Sequence, residues 1–195
     1  MINRKFFFDQ IKLTLFSGSM STKQVQGVSA ILDEWEANYS RQDERWLAYM
    51  FATAHHETGR TMQPIEEWGK GKNLIYGGKV KQNKKPYTDT NEVFYGRGFV
   101  QLTWYENYER AGKELKKDFI HHAAGVMELP NATKIMFLGM MEGWFTGKKL
   151  SNYFAGTTED WTNARRIING LDKADLIKDY AQKYYASISH IAANV

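Results

Sequence analysis

Apolar side chains return every three or four residues over most of this chain, the period of helices that bury one face. Residues 1–16, with Phe6-Phe7-Phe8 broken by Asp9, Gln10 and Lys12, read as a first amphipathic helix. Ser21-Thr22-Lys23-Gln24 has capping-box spacing, in which the Ser oxygen and the Gln side chain satisfy each other's orphan amides. Behind it Val25, Val28, Leu32 and Trp35 form a stripe. Ser40 or Asp43 can cap a third helix whose Trp46, Leu47, Met50, Phe51 and Ala54 face inward and which Thr58-Gly59 stops near Glu57. Helical patterning resumes at Tyr105 and continues past Leu115. It resumes again from Pro130-Asn131 through Ile135, Leu138 and Met141, ending before Gly147. Asn163 to Ile168 reads as a short helix stopped by Asn169-Gly170. The last, from about Asp172, sets Ile177, Tyr180, Ala181, Tyr184 and Ile188 on one face.

The pattern fails between Pro64 and Phe94, where Gly69, Gly71, Gly77, Gly78 and Pro86 punctuate a long loop with room for a short hairpin. Loops of that length are uncommon in compact domains unless they serve a site. Phe94 to Leu102 suits a short strand or two around Gly96 and Gly98. The expectation is a mainly α fold with a small β element beside a cleft, in a single domain spanning 1–195, without internal repeats or low-complexity linkers.

Composition narrows the chemistry. The 43% apolar and 14% aromatic content are those of a globular protein, and the absence of cysteine removes disulfides and thiolate metal sites. The basic N-terminus lacks a small-residue cleavage site, so no signal peptide is read, and no run nears the roughly 18 apolar residues of a membrane span. That suits a protein made in a reducing cytoplasm. Lys+Arg outnumber Asp+Glu by 26 to 22, and Lys70, Lys72, Lys79, Lys81, Lys84 and Lys85 crowd the irregular section. They form either a solvated loop or a surface for a polyanion. No aromatic-interleaved basic stripe points to nucleic acid.

Glu57, in Ala54-His55-His56-Glu57-Thr58-Gly59, is placed where a buried helix breaks into a loop. A carboxyl there can be desolvated enough to stay protonated and act as a general acid. A surface glutamate paired with a lysine is the other reading. Glu66 and Glu67 follow after a nine-residue offset (66 − 57), able to reach the roughly 6.5–9.5 Å that inverting glycosidases leave for water. In Tyr95-Gly96-Arg97-Gly98-Phe99-Val100-Gln101-Leu102-Thr103-Trp104 the glycines permit tight turns, and Arg97 suits bracing a buried carboxylate or carbonyl. Gln101 can donate and accept, Thr103 can orient a water without titrating, and Asn107 lies one helical turn on. His55-His56 and His121-His122 invite a metal reading, but no His-Glu-x-x-His spacing exists and adjacent helical histidines diverge by about 100°. His56 is expected to line the cleft beside Glu57.

Together these residues resemble glycoside hydrolase family 19, the plant-type chitinases, and the phage and bacterial endolysins related to it. The resemblance rests on His56-Glu57-Thr58-Gly59, on Tyr95 through Thr103, on Asn107, and on Ile168-Asn169-Gly170 after Ala164-Arg165-Arg166. It spans roughly 45–185. It implies a lysozyme-like superfamily fold, two helical lobes around a cleft, with Glu57 as the acid and Glu66 as the second carboxylate. It also implies that Thr103 positions water and that Gln101, Asn107 and Asn169 hold sugar, with His56 and Tyr95 completing the substrate-binding candidates. Departures are the missing cysteines of the plant enzymes, Arg60 in place of a second glycine, and the Lys- and Gly-rich segment 69–93.

The resulting expectation is a muramidase-type endolysin that cuts β-1,4 bonds in peptidoglycan by inverting acid/base chemistry. The alternatives are a chitinase and a non-catalytic cell-wall-binding protein. The expected partner is peptidoglycan or a chitin-like polysaccharide, with no metal or organic cofactor, no nucleic acid and no stable membrane insertion. The protein is expected to be monomeric and to act on the wall after release from the cytoplasm of the producing cell.

Overall fold

The computed structural model describes residues 2–188. Among them six α-helices carry the architecture: α1 (Arg4–Thr14), α2 (Thr22–Asn38), α3 (Glu44–Glu57), α4 (Tyr105–Leu115), α5 (Leu129–Glu142) and α6 (Ala174–Ile188). Two-residue strands pair antiparallel, β1 (Ile65–Glu66) with β2 (Arg97–Gly98) and β3 (Phe154–Ala155) with β4 (Thr158–Glu159). The fold is mainly α, as the periodicity predicts.

Helix α3 is the axis of the molecule. Asp43 caps it by accepting from the Arg45 amide, and every residue from Leu47 to His55 is buried. A helix apolar all round must be enclosed. α1 and α6 enclose it on one side, where Phe7, Phe51 and Tyr184 stack with ring centroids 5.0–6.3 Å apart. Each such aromatic removed from water contributes on the order of 1.5–3 kcal/mol. α2 packs on α5, and α3 touches both, so the apolar residues of all these helices merge in one core.

The expected capping box of α2 forms in full, with Ser21 N donating to Gln24 Oε1 (2.8 Å) and Gln24 N to Ser21 Oγ (3.2 Å). The α2 start then grips the turn after α3. Gln24 Nε2 donates to the Arg60 carbonyl (2.9 Å) and Gln63 Nε2 to that of Lys23 (2.6 Å). Gly27 lies so close to Met62 that an added Cβ would overlap the Met62 carbonyl oxygen.

Some expectations shift. Val25 is exposed, and the buried stripe of α2 runs through Val28, Ile31, Leu32 and Trp35, because the first turn overhangs the core. α4 stops at Leu115, where Lys116 takes a left-handed backbone. Asn163–Ile167 is a 3-10 turn, and α6 starts at Ala174. The β3–β4 hairpin leaves no mark in the sequence pattern, since two-residue strands carry no alternation. It docks through Trp46 Nε1 to Phe154 O (2.9 Å) and Arg45 to the carbonyls of Thr158 and Gly156 (2.9 and 3.0 Å). Within the long loop a bridge pairs Val80 with Pro86, the place left open for a hairpin.

Candidate active site

Glu57 is the last residue of α3, and its position follows from how that helix stops. Thr58 Oγ1 donates back to the Ala54 carbonyl (2.7 Å) and accepts from Met62 N (3.1 Å). Gly59 takes a positive φ of 54°, which lets Arg60 N reach the His55 carbonyl (2.8 Å) and close the helix end. The Glu57 side chain, 16% exposed, accepts from buried Arg165 Nη1 at 2.6 Å. Arg165 Nε donates to the Asp172 carbonyl (3.2 Å), so the guanidinium is fixed from two sides. Oε2 of Glu57 has no hydrogen bond among the described residues.

The β1–β2 pair places the next carboxylates. Ile65 pairs with Gly98 and Glu66 with Arg97, and Glu67 N donates to the Gly96 carbonyl (2.7 Å). The two adjacent acids have opposite surroundings. Glu67 turns inward, accepting from Tyr76 Oη (2.8 Å) and Gly96 N (2.9 Å), one donor per oxygen. Glu66 turns outward and accepts from Lys70 Nζ (2.8 Å), the Tyr95 hydroxyl and Arg97 Nε (3.4 Å). Lys70 first, then Tyr95, hold its carboxyl down to about 2, so Glu66 is charged near neutrality. Arg97 is the expected brace. It is buried against the Tyr95 ring, 3.5 Å from its centroid, and donates to Val93 O (3.0 Å) and Tyr108 Oη (2.9 Å).

From β2 the chain folds tightly into α4. Arg97 and Leu102 exchange backbone hydrogen bonds (2.8 and 3.1 Å), and Gln101 and Trp104 adopt positive φ of 53° and 79°. Strained backbone of this kind persists where surrounding contacts over-determine it. Gln101 spends its amide on the carbonyls of Ile65 (3.2 Å) and Gly98 (3.3 Å), tying the turn to β1 next to Glu66. Its Oε1 lies where a Cβ on Gly96 would come within 2.8 Å, so a larger residue there would push the Gln101 amide aside. Thr103 Oγ1 donates to the Gln101 carbonyl (2.8 Å) and keeps its lone pairs to accept. Asn107 Nδ2 donates to Thr103 O (2.8 Å), which fixes the amide one turn into α4.

A cavity of about 300 Å³ gathers Glu57, Gln101, Thr103, Asn107 and Asn169, with Trp104, Phe145 and Ile168 as its apolar wall. Five of the eight residues singled out in the sequence thus share one space. Glu66 and Tyr95 stand outside that lining, joined to each other by the tyrosine hydroxyl, and Gln101 ties the lining to Ile65, the neighbour of Glu66. His56 is half-buried beside Glu57 and does not line the cavity either; burial, foremost, lowers its pKa. His55 is fully buried with Nδ1 on Tyr184 Oη (3.0 Å), while His121 sits on Asp118 (2.8 Å). No group of three His, Asp or Glu among the described residues could hold a metal ion.

Arg165 is the residue that sequence reasoning missed. In the sequence it is only part of the run before Ile168, and no spacing links it to Glu57, 108 positions away. Its one signal was an arginine amid the apolar residues of Ala164 to Ile168, since arginine is almost never buried unless paired.

No family model matches the chain. An acidic endochitinase of Dioscorea japonica is 35% identical over 75 residues, 38% of this chain and 28% of that protein. Solved structures resemble the whole chain. A bacterial family 19 chitinase aligns with a TM-score of 0.61 at 19% identity, covering 100% of this chain and 98% of that one. Chitinase C of Streptomyces griseus aligns at 0.60 and 19%, covering 94% and 76%. The class IV chitinase of Zea mays aligns at 0.55 and 16%, covering 87% and 81%. The chain therefore has the lysozyme-like, mainly α fold of the family 19 chitinases.

Proposed function

We propose that this protein is an inverting glycoside hydrolase that cleaves β-1,4 bonds between N-acetylated amino sugars, and that its substrate is peptidoglycan. The observation that carries the reading is the pairing of two unlike carboxylates with one polar cavity. Glu57 faces it with one oxygen free, and Glu66 is held ionised on β1, which the cavity-lining Gln101 grips through the Ile65 carbonyl. Arg165 on Oε1 orients Glu57, so the proton given to the glycosidic oxygen travels on Oε2. A water that donates one proton to Thr103 Oγ1 and one to Glu66 keeps a lone pair for the anomeric carbon. Glu66 takes the proton as the C–O bond forms, and the configuration inverts. Asn107 and Asn169 offer amide groups to the acetamido and hydroxyl substituents. The family fold supports this chemistry, and the lysines around the site suit an anionic envelope. The protein would be a monomer acting on the wall after release from the cytoplasm.

Purified sacculi decide the matter. The protein should release reducing ends as the inverted anomer, and Glu57→Gln should abolish release while keeping the fold. Anhydro ends would indicate a transglycosylase, and binding without turnover a wall-binding protein; either result sinks the reading. Chitinase is the second reading, favoured by the 35% match to an endochitinase. Turnover of N-acetylglucosamine oligomers with none on sacculi would establish it.

A further inference from the structure

The turn that follows Glu66 carries a feature the catalytic reading does not use. Residues 67–78 form a closed loop pinned at its neck. Tyr76 donates to Glu67 and sets its ring edge-on against Trp104, 5.5 Å between centroids. Gly77 lies against Gly71 so closely that a Cβ on it would overlap the Gly71 carbonyl. Internal bonds from Lys70 N to Glu67 O (3.2 Å), Lys72 N to Gly69 O (2.9 Å) and Leu74 N to Gly71 O (3.0 Å) stiffen the tip. This well-braced turn nevertheless presents Trp68 99% exposed, with Ile75 at 61% and Leu74 at 48%.

An indole held bare on a braced turn that also exposes Leu74 and Ile75 presents an apolar surface to a partner. Trp68 lies between Glu66 and Lys70 in the chain, and the side chains of those two residues meet at 2.8 Å. The nearby cations are not equivalent. Lys81 lies over the Tyr105 ring (4.0 Å) and Lys79 reaches Asn91 (3.4 Å), whereas Lys72 has no partner among the described residues. Lys70 has three donor hydrogens and needs one for Glu66.

We infer that Trp68 is a stacking platform for a sugar ring beyond the bond that is cut, and that Lys70 and Lys72 bind a carboxylate on that same strand. The turn thereby selects acid-substituted amino-sugar polymers over neutral ones. A flat indole matches the C–H face of a pyranose, and ammonium groups beside it match a lactyl-peptide carboxylate that chitin lacks. This rests on the hydrolase reading and names its substrate class.

Calorimetric titration of the Glu57→Gln protein separates binding from turnover, with peptidoglycan glycan strands and the neutral hexamer of N-acetylglucosamine as probes. The strands should bind more tightly than the hexamer, and adding Trp68→Ala should weaken strand binding about tenfold at unchanged melting temperature. Adding Lys70→Gln with Lys72→Gln should erase the preference for strands over hexamer and its salt dependence. Unchanged strand affinity in the Trp68→Ala protein overturns the inference, as does a preference that survives the double lysine change. Trp68-dependent sedimentation with phosphatidylglycerol vesicles, without effect on glycan, overturns it in favour of a membrane surface. Wild-type protein that releases no reducing ends, yet binds strands through Trp68, would sink only the hydrolase reading.

Discussion

Exchanging each of the adjacent acids Glu66 and Glu67 for glutamine separates catalysis from bracing. Glu67 accepts one hydrogen bond on each oxygen, from Tyr76 Oη and Gly96 N. Glutamine can keep both contacts, with its amide donating to the tyrosine oxygen, but the charge is lost. Hydrogen bonds to a charged group contribute about 1.5–3 kcal/mol and neutral ones about 0.5–1.5, so two conversions cost on the order of 2 kcal/mol. For a chain of this size that lowers the melting temperature by about 4–8 °C. kcat should stay within about threefold, because neither oxygen of Glu67 is free to meet water. Glu66→Gln should act mainly on turnover. Its pair with exposed Lys70 is worth about 0–1 kcal/mol, and the bond from the Tyr95 hydroxyl weakens by about 1 kcal/mol when the charge is lost, so melting falls no further than in the Glu67→Gln protein. Loss of the base should cut kcat by about 10²–10⁴-fold. Thermal melts and initial rates of reducing-end release on one substrate measure both quantities. A Glu67→Gln protein with unshifted melting and a hundredfold loss of kcat, or a fully active Glu66→Gln protein, refutes the division of labour.

Further predictions follow from buried contacts. Arg165→Leu leaves the partly buried Glu57 without its cation and should cost about 1–3 kcal/mol, read from urea midpoints, with Glu57→Gln in the same chain recovering part of it. Burial first, then the charge of Arg60, pushes the His55 imidazole down to about 4 from an ordinary 6.5. Between those values the unfolded chain binds a proton that the folded one refuses. Stability should therefore fall by up to about 3 kcal/mol as pH drops from 6.5 to 4. A His55→Phe protein with the wild-type loss between urea melts at pH 7 and 4.5 would contradict this. Gly27→Ala drives a Cβ into the Met62 carbonyl and should cost about 1–3 kcal/mol. A melting temperature equal to wild type would show that α2 yields freely.

Helices and their stops were legible because each carried a local cause. The Ser21 box, the Asp43 cap and Thr58-Gly59 are all satisfied within a few residues. The string from Tyr95 to Thr103 was legible as a tight turn for the same reason. What stayed hidden depends on distant partners. Arg165 meets Glu57 only because α6 and the turn before it fold back on α3. Glu66 and Glu67 look equivalent in sequence, and only the register of β1 on β2 turns one outward and the other onto Gly96. Gln101 illustrates the converse. Its residue type suggested sugar binding, yet both amide hydrogens go to backbone carbonyls.

The clasp of α6 on α3 carries a consequence for biosynthesis. The helix bearing Glu57 is buried on every side from Leu47 to His55, and the stretch that seals it, with Tyr184 against Phe51 and His55, is translated after it. The turn supplying Arg165 also emerges after the cleft-lining segments 100–107. A nascent chain on the ribosome that has reached residue 107 holds Glu57, Glu66 and Thr103 without the clasp that sets them, so the site can assemble only once α6 has emerged.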